Sequence, residues 1–155
     1  MHCTWTDPQG EFEISTDPSR IDVSAVHGFL TASYWAKGVP LETVHRSIRN
    51  SLCFGIYRGG AQAGFARVIT DRATFAYLAD VFVSEAFRGR GLAKWLMQCI
   101  FAHPELQNLR RWTLVTRDAH DLYRQFSFQE LKSPERWMEK HHPEVYAKTP
   151  ASGVL

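Results

Sequence analysis

The run Arg88-Gly89-Arg90-Gly91 is the part of the sequence best suited to bind an anion. It follows an apolar, strand-like run ending at Val83 and leads into an apolar stretch with helical spacing that begins at Leu92. At such a junction, backbone N–H groups and the positive end of the helix dipole face the same point. The glycines let a phosphate approach the backbone because they lack a Cβ, and the arginines add positive charge. A solvated loop is the alternative for these four residues alone, and their flanking elements argue against it.

Two common phosphate-binding motifs do not fit this loop. The Walker motif GxxxxGK[ST] is missing, and the dinucleotide fingerprint GxGxxG/A fails because Lys94 occupies its sixth position. About twenty residues further on, where the fingerprint places an acidic residue, the chain has Arg110 and Arg111. We therefore expect the loop to bind the phosphates of a different ligand.

The elements that position this loop are predicted from the spacing of apolar residues. Asp22 is expected to cap a helix over about 22–33, and Pro40 to start another over about 40–51. Strands are predicted at 11–15, 53–57, 63–69, 75–83, 112–116 and 128–131. A packed helix should begin at Leu92, Asp118 should cap a short helix over about 119–126, and residues 1–10 should fray. This pattern predicts an α/β domain with a mixed sheet and helices on both faces.

Length and composition describe one ordinary globular domain. The chain has 155 residues, of which 45% are hydrophobic and 22% charged, and its formal charge is +2. A charge so close to neutral favours neither nucleic acid nor a membrane surface as a partner. The cysteines Cys3, Cys53 and Cys99 do not form a CxxC metal motif, and neither a signal peptide nor a membrane-spanning run is visible. We expect a cytoplasmic protein without a metal.

A second motif completes a resemblance to the GNAT superfamily of N-acetyltransferases. The family signature Arg/Gln-x-x-Gly-x-Gly/Ala is matched in full over residues 88–93. The family run Ala-x-x-Leu-Tyr-x-x-x-Gly-Phe is similar to residues 119–128, with Ser127 in place of glycine. The resemblance covers residues 11–132 and implies a single domain over 1–155, with a mostly antiparallel sheet and a tail over 133–155. It also implies transfer of the acetyl group of acetyl-CoA to a primary amine by direct attack in a ternary complex.

The resemblance assigns roles to particular residues. Binding of the acetyl-CoA pyrophosphate is assigned to Arg88, Gly89, Arg90, Gly91, Leu92 and Ala93. Further contacts with acetyl-CoA are assigned to Val81, Phe82, Val83, Thr116 and Tyr123, with backbone groups near Val81 and Val83 pairing with the pantetheine arm. Backbone groups near Val81 and Val83 would be freed where their strand splays from the next one, and an N–H there can stabilise an oxyanion. Tyr123 would protonate the leaving thiolate, since a phenol is protonated at neutral pH. Without the resemblance, Tyr123 is interpreted as a core residue of an amphipathic helix.

Asp80 is the first candidate for the base that deprotonates the acceptor amine. It is a carboxylate within a strongly apolar strand, which is an unusual place for a charge. Many relatives have Glu-Asp at this point, whereas this chain has Ala79 before Asp80. A structural role, in which Asp80 pairs with a backbone group or with an arginine such as Arg67, is an equal alternative. His120 and Glu85 are weaker candidates.

The acceptor is expected to be an amine of a small molecule or a peptide, bound near Tyr34, Trp35 and Tyr77. In the resembled fold, the loop after the first helix and the strand near 77 border the acceptor site. Ordinary packing is the alternative for each of these side chains. His141 and His142 are interpreted as surface residues rather than metal ligands. A monomer and a homodimer both remain open, since aromatic residues of the tail could serve a dimer contact.

Two other functions compete with acetyl transfer on the sequence alone. A non-catalytic acyl-CoA-binding or regulatory module is motivated by Ala79, which replaces the family glutamate. A phosphate-loop protein for another nucleotide is motivated only by the glycines and arginines of the loop.

Overall fold

A computed structural model describes residues 1–147 of the chain. These residues form the strands β1 Thr4–Thr6, β2 Glu13–Ser15, β3 Leu52–Arg58, β4 Ala61–Thr70, β5 Phe75–Val83 and β6 Arg111–Leu114. They also form the helices α1 Val23–Ala32, α2 Leu41–Arg49, α3 Leu92–Ala102 and α4 His120–Arg124. The predicted helix at Asp22 is present, and the Asp22 carboxylate caps it by accepting the N–H of Ala25.

The strands build one sheet in the order β1-β2-β3-β4-β5-β6, so that neighbours in sequence are neighbours in space. The first five strands pair antiparallel, whereas β5 and β6 run parallel. A parallel pair needs a crossover connection, and α3 supplies it. The predicted α/β architecture with a mixed, mostly antiparallel sheet is confirmed.

Apolar side chains pack on both faces of this sheet. On one face, α3 buries Leu96 and Ile100. On the other face, α1 and α2 bury Val26 and Val44 against Phe65 of β4. Because helices cover both faces, nearly every residue of β3 is buried, and its sequence is a continuous apolar run rather than an alternating one.

The prediction that residues 1–10 fray is wrong, because they contribute the edge strand β1. Trp5 of this strand packs against Phe54, with 6.2 Å between the ring centroids. Asp7 closes the loop to β2, since its carboxylate accepts hydrogen bonds from the N–H groups of Glu11 and Phe12. Burial of one aromatic side chain, with a side-chain cap on the turn, therefore orders this polar segment.

The prediction of a strand at 128–131 is also wrong. These residues lie beside β6 without forming a ladder with it in the described chain. Ser127 leaves α4 in the left-handed conformation, with φ +68°, and Arg124 holds Glu130 at 2.7 Å. These two features keep the segment against α4 and away from the edge of β6.

Asp118 does not cap α4, contrary to the prediction. The N–H of Ala119 instead donates to Thr116 Oγ1 at 3.0 Å, and Asp118 lies near Arg117 on the surface. In the described residues α4 has Ala119 as its N-cap and no side-chain cap, so the Thr116 bond stabilises the turn between β6 and the helix.

The predicted tail begins after residue 132, and its last part, 148–155, lies outside the described residues. Up to residue 147 it has a single 3-10 turn and an otherwise irregular path. Tyr146 packs against the cluster of α1 and α2, and its carbonyl oxygen lies beside Gly38 in the loop between these helices. None of the helices in residues 1–147 is long and apolar enough to cross a membrane.

Candidate active site

A bulge at Asp80 opens the sheet between β5 and β6. β5 has one extra residue in its ladder with β4, opposite Ala66, and Asp80 takes a left-handed conformation with φ +55°. A bulge bends its strand and increases the local twist. The pairing of β5 with β6 stops at Leu78 and Leu114, two residues before the bulge. The edge of β5 that faces β6 is therefore unpaired from Ala79 onward.

The loop after β5 forms an open cradle at the start of α3. Gly89 and Gly91 have φ values of +76° and +73°, a region that glycine enters without strain. A Cβ at either position would meet nothing within 4 Å. The backbone N–H groups of residues 89–94 have no acceptor within residues 1–147. Free N–H groups at the positive end of an eleven-residue helix, facing open space, fit a phosphate group.

The two arginines of this loop have different partners. Arg88 turns back, and its Nε donates to the carbonyl oxygen of Val83 at 3.0 Å. Arg90 shares Glu11 with Arg58, at 3.3 Å and 2.9 Å respectively. Arg88 therefore connects the cradle to the end of β5, while Arg90 lies on the surface within a partly exposed ion-pair network.

Tyr123 lies on α4 and belongs to the hydrophobic cluster against which Val81 and Val83 of β5 pack. Its side chain is buried and packs edge-to-face on Phe128, with 5.9 Å between the ring centroids. Burial, with smaller contributions from Tyr34 and Asp118, raises the pKa of the Tyr123 hydroxyl to about 12. The phenol therefore keeps its proton throughout the neutral range and can serve as a hydrogen-bond donor.

Asp80 is held by two other side chains. Its Oδ2 accepts from Arg67 Nε at 2.8 Å, and its Oδ1 accepts from Trp35 Nε1 at 2.9 Å. The Asp80 and Arg67 side chains are only 10% and 17% exposed, and Arg67 also donates to Ser51 Oγ. The pairing with Arg67, one of the two alternatives raised by the sequence, is present. Both carboxylate oxygens are already hydrogen-bonded, which leaves Asp80 poorly placed to take a proton directly.

Three aromatic side chains lie around the bulge. Tyr34 and Trp35 contact each other edge-to-face at 5.1 Å between ring centroids, and they are 50% and 43% exposed. The Tyr34 hydroxyl accepts the N–H of Arg117, whose guanidinium lies 3.8 Å from the Tyr34 ring centroid. Tyr77 is half-buried on β5, and burial raises the pKa of its hydroxyl. Two of the three predicted acceptor residues are thus partly open to solvent.

Comparison with known proteins identifies the family. The profile of the acetyltransferase (GNAT) domain matches residues 49–130, which include the bulged strand, the cradle and α4. This chain belongs to the GNAT acetyltransferase family. The predicted family is therefore confirmed.

Individual relatives agree with this GNAT assignment. A provisionally named acetyltransferase of Gibberella zeae is 32% identical over 142 residues, covering 77% of this chain and 78% of that protein. A crystal structure of a GNAT-family protein from Xanthomonas campestris pv. campestris is 48% identical, with a TM-score of 0.87, and covers 88% of this chain and 97% of that one. A protein from Clostridium acetobutylicum, crystallised with acetyl-CoA, shares the fold at a TM-score of 0.64 and 13% identity, over 91% of this chain and 96% of that one.

The other predicted site residues of this GNAT chain can offer mainly their backbones. Phe82 is buried and stacked on Phe29 at 3.8 Å between ring centroids, and Leu92 is buried in the core under α3. Both side chains are therefore committed to the core, and Phe82 is also paired with Phe65 in the β4–β5 ladder. Val81 and Val83 are half-buried along the unpaired part of β5, and Ala93 is half-buried in the first turn of α3. The Thr116 hydroxyl oxygen already accepts the N–H of Ala119 in the turn before α4.

Sequence reasoning missed the contribution of Arg117 to this site. Its contacts join the loop after β6 to the loop after α1, at a separation of 83 residues. No local pattern could have indicated a contact across that distance. Residues 1–147 also contain no group of three metal-binding side chains.

Proposed function

We propose that this chain is an acetyl-CoA-dependent N-acetyltransferase, which moves the acetyl group to a primary amine by direct attack in a ternary complex. The observation that carries the proposal is the presence of three features around one hydrophobic cluster at the ends of β5 and β6. These are the open N–H cradle at 89–94, the unpaired edge of β5 beyond Ala79, and the buried phenol of Tyr123. An anion, an extended amide-bearing arm and a leaving thiolate would each meet a matching group there.

The cradle would bind the pyrophosphate through backbone N–H groups, with the helix dipole favouring the negative charge. The N–H and C=O groups of β5 that face the opening, apart from the Val83 carbonyl bound by Arg88, would pair with the amides of the pantetheine arm, as a neighbouring strand does. The hydrogen bond from Arg88 to the Val83 carbonyl would keep the cradle and this strand end in a fixed relation. Acetyl-CoA would therefore be held by its pyrophosphate at the cradle and by its pantetheine arm at β5, and Arg88 connects these two parts of the site.

In the transfer, the amine nitrogen forms a bond to the thioester carbonyl carbon, and the oxygen gains negative charge. A backbone N–H near Val81 or Val83 would stabilise that oxyanion, an effect of about 3 kcal/mol for one well-placed donor. The carbon–sulfur bond then breaks and the electron pair leaves with the sulfur. The products are the N-acetylated amine and CoA, and the proton lost by the amine balances the proton gained by the thiolate.

Tyr123 would assist the departure of the thiolate as a hydrogen-bond donor. The pKa of its hydroxyl is raised to about 12, whereas a thiol has an ordinary pKa of about 8.5. Complete proton transfer from the phenol to the thiolate would therefore be uphill by about 5 kcal/mol. Donation of a hydrogen bond stabilises the thiolate without that cost, and the amine proton can then complete the thiol.

The amine proton would pass to water. Asp80 would serve as a fixed negative charge that positions the residues around it. The ion pair with Arg67 and the bond from Trp35 support this role over direct proton abstraction. Tyr34, Trp35 and Tyr77 would contact the acceptor, a small molecule or a peptide with a free amine. We propose that the protein acts in the cytoplasm, where acetyl-CoA is available.

Isothermal titration with acetyl-CoA tests the cosubstrate directly, with CoA, ATP and NAD as controls. We expect micromolar binding of acetyl-CoA and CoA and no comparable binding of ATP or NAD. A screen of candidate amines, in which the release of CoA is measured, then tests catalysis. A nucleotide that competes as well as CoA would contradict the proposal.

A non-catalytic acyl-CoA-binding module is the second candidate. The observation that favours it is the occupied Asp80 carboxylate, which follows Ala79 where many relatives have a glutamate. This candidate predicts the same titration result as the enzyme. It differs in that no amine of the screen would release CoA.

A further inference from the structure

We infer that the free edge of β6 binds an extended acidic peptide, which adds a strand to the sheet. This binding surface, called here the β6 groove, lies between β6 and the segment 126–138. β6 has two edges, one of which faces β5 and the opening described above. The inference concerns the other edge. It does not depend on the proposed acetyl transfer.

The β6 groove has the dimensions and position of a missing strand. β6 is the last strand of the sheet and has β5 on one side only, within the part of the chain that the structure describes. The cavity along its other side has a volume of about 1120 Å³. Neighbouring strands lie about 4.8 Å apart, so a peptide between β6 and the segment 126–138 would fill this space.

The edge of β6 offers alternating backbone N–H and C=O groups to such a peptide. An unpaired strand edge is a template for another strand, and proteins with open edges use them to bind extended peptides. The phosphate backbone of a nucleic acid would use only the donors of such an edge, because phosphates offer no N–H groups. The edge chemistry therefore favours a polypeptide over a nucleic acid.

The wall opposite β6 consists of apolar side chains that are exposed to solvent. Leu131, Trp137 and Met138 line the β6 groove and are 43%, 38% and 96% exposed. Phe101 and Trp112 lie deeper in the groove and are half-buried. Alternate side chains of a bound strand would point toward these residues, so the peptide should carry apolar residues at every second position.

The charge of the β6 groove selects an acidic peptide. Its exposed cations Arg110, Arg111, Lys132 and Arg136 form no ion pair with a carboxylate in residues 1–147. The carboxylate of Glu130 in the groove is bound by Arg124 at 2.7 Å. The Arg111 guanidinium also lies over the Trp137 ring, 5.1 Å from its centroid. Four cations without a carboxylate partner beside a strand edge are complementary to glutamate or aspartate residues that alternate with the apolar ones.

Fluorescence anisotropy with the full chain tests this inference. The probe is a labelled peptide in which glutamate and valine alternate. Two further peptides serve as controls, one with lysine in place of glutamate and one N-methylated at alternate residues. The N-methyl peptide keeps charge and side chains but cannot complete the strand ladder. We expect the probe to bind at least about tenfold more tightly than either control, which corresponds to about 1.4 kcal/mol.

Charge-reversal variants locate the binding surface. Arg111→Glu with Arg136→Glu should weaken probe binding at least about tenfold, whereas the matched pair Arg46→Glu with Arg49→Glu on α2 should leave it unchanged. Equal binding of the probe and its N-methyl form would overturn strand addition. Sedimentation would overturn the peptide assignment if the wild type formed a dimer that Arg111→Glu with Arg136→Glu dissociates, since a second copy would then occupy the groove. Tighter binding of an oligonucleotide than of the probe, lost in the same variant, would overturn it as well.

Discussion

The carboxylate of Asp80 and the guanidinium of Arg67 form an ion pair, with 2.8 Å between Oδ2 and Nε, at the bulge of β5. Trp35 donates to the other oxygen of Asp80, and Ser51 accepts from Arg67. Four chain segments therefore meet at one left-handed residue in the sheet. A strained conformation persists where its surroundings fix it, and this network fixes the bulge that ends the pairing of β5 with β6.

Removal of the Asp80 charge should destabilise the fold by about 3–5 kcal/mol, because it leaves Arg67 without its partner in a mostly buried site. Asp80→Asn is the appropriate change, since asparagine tolerates the left-handed conformation. Adding Arg67→Met removes the orphaned charge and should recover most of the lost stability. Denaturant unfolding of the three variants measures this cycle.

The same set of variants shows whether Asp80 positions other residues or acts as the catalytic base. We expect the double variant Asp80→Asn with Arg67→Met to regain acetyl-CoA affinity and a large part of kcat together with its stability. If Asp80 were the base, kcat would stay about 10²–10⁴-fold lower even in a stable double variant. Titration with acetyl-CoA and the turnover of an amine from the screen are the two measurements.

Most of the framework around this site could be predicted from the sequence, since it depends on local pattern. Apolar spacing gives α1, α2 and the three central strands, and two motifs give the cradle and α4. The left-handed conformation of Asp80 and the contact of Arg117 with Tyr34 could not be predicted, because both depend on partners distant in the chain. Ser127 adopts the left-handed conformation that the family glycine would favour, so the motif predicted the turn although its residue differs.

The errors at the two ends of the sheet have a common cause. β1 and the segment 128–131 lie at sheet edges, where strand formation depends on a neighbour rather than on propensity. Trp5 packs against Phe54, and this contact stabilises a polar segment as the strand β1. The segment 128–131 has strong strand formers such as Phe128, yet α4 holds it away from β6 through Arg124 and Glu130.

Tyr123→Phe should lower kcat by about 10²–10³-fold without unfolding the protein, because it deletes only the hydrogen-bond donor beside the leaving thiolate. Tyr57→Phe is the matched control. Burial raises the pKa of both tyrosine hydroxyls to about 12, but Tyr57 lies on β3 and its buried hydroxyl has no partner in the described residues. Tyr57→Phe should therefore leave kcat unchanged and raise stability by about 1 kcal/mol, since an unsatisfied polar atom is removed. Equal turnover of Tyr123→Phe and wild type would exclude the donor role.

Gly91→Glu should abolish acetyl-CoA binding, because its side chain and charge would enter the open cradle in front of α3. The matched control is Gly59→Glu in the turn between β3 and β4. Gly59 also has a left-handed φ, +59°, and nothing within 4 Å of its Cβ position. Both variants should lose about 1–2 kcal/mol of stability from backbone strain, and only Gly91→Glu should lose binding. Isothermal titration and thermal unfolding separate the two effects, and retained affinity in Gly91→Glu would show that the phosphates bind elsewhere.

Stability should fall steeply above about pH 9. Burial raises the pKa of the Cys53 and Cys99 thiols to about 12, as it does for the Tyr57 and Tyr123 hydroxyls. An unfolded thiol ionises near pH 8.5 and an unfolded phenol near pH 10, so the unfolded state binds fewer protons between those values and pH 12. The stability from the raised pKa values is fully present below pH 8.5 and is lost as the pH rises toward 12.

Two thiols alone should make the free energy of unfolding fall by about 2–3 kcal/mol per pH unit between pH 9.5 and 10.5. Urea unfolding across this range measures the slope. Cys53→Ala and Cys99→Ala lower stability at pH 7 by creating cavities, so each variant is compared with itself at neutral pH. Each substitution should reduce the alkaline slope by about 1 kcal/mol per pH unit, because it removes one group that only the unfolded state ionises. A slope unchanged by both substitutions would mean that the buried thiols ionise in the folded protein.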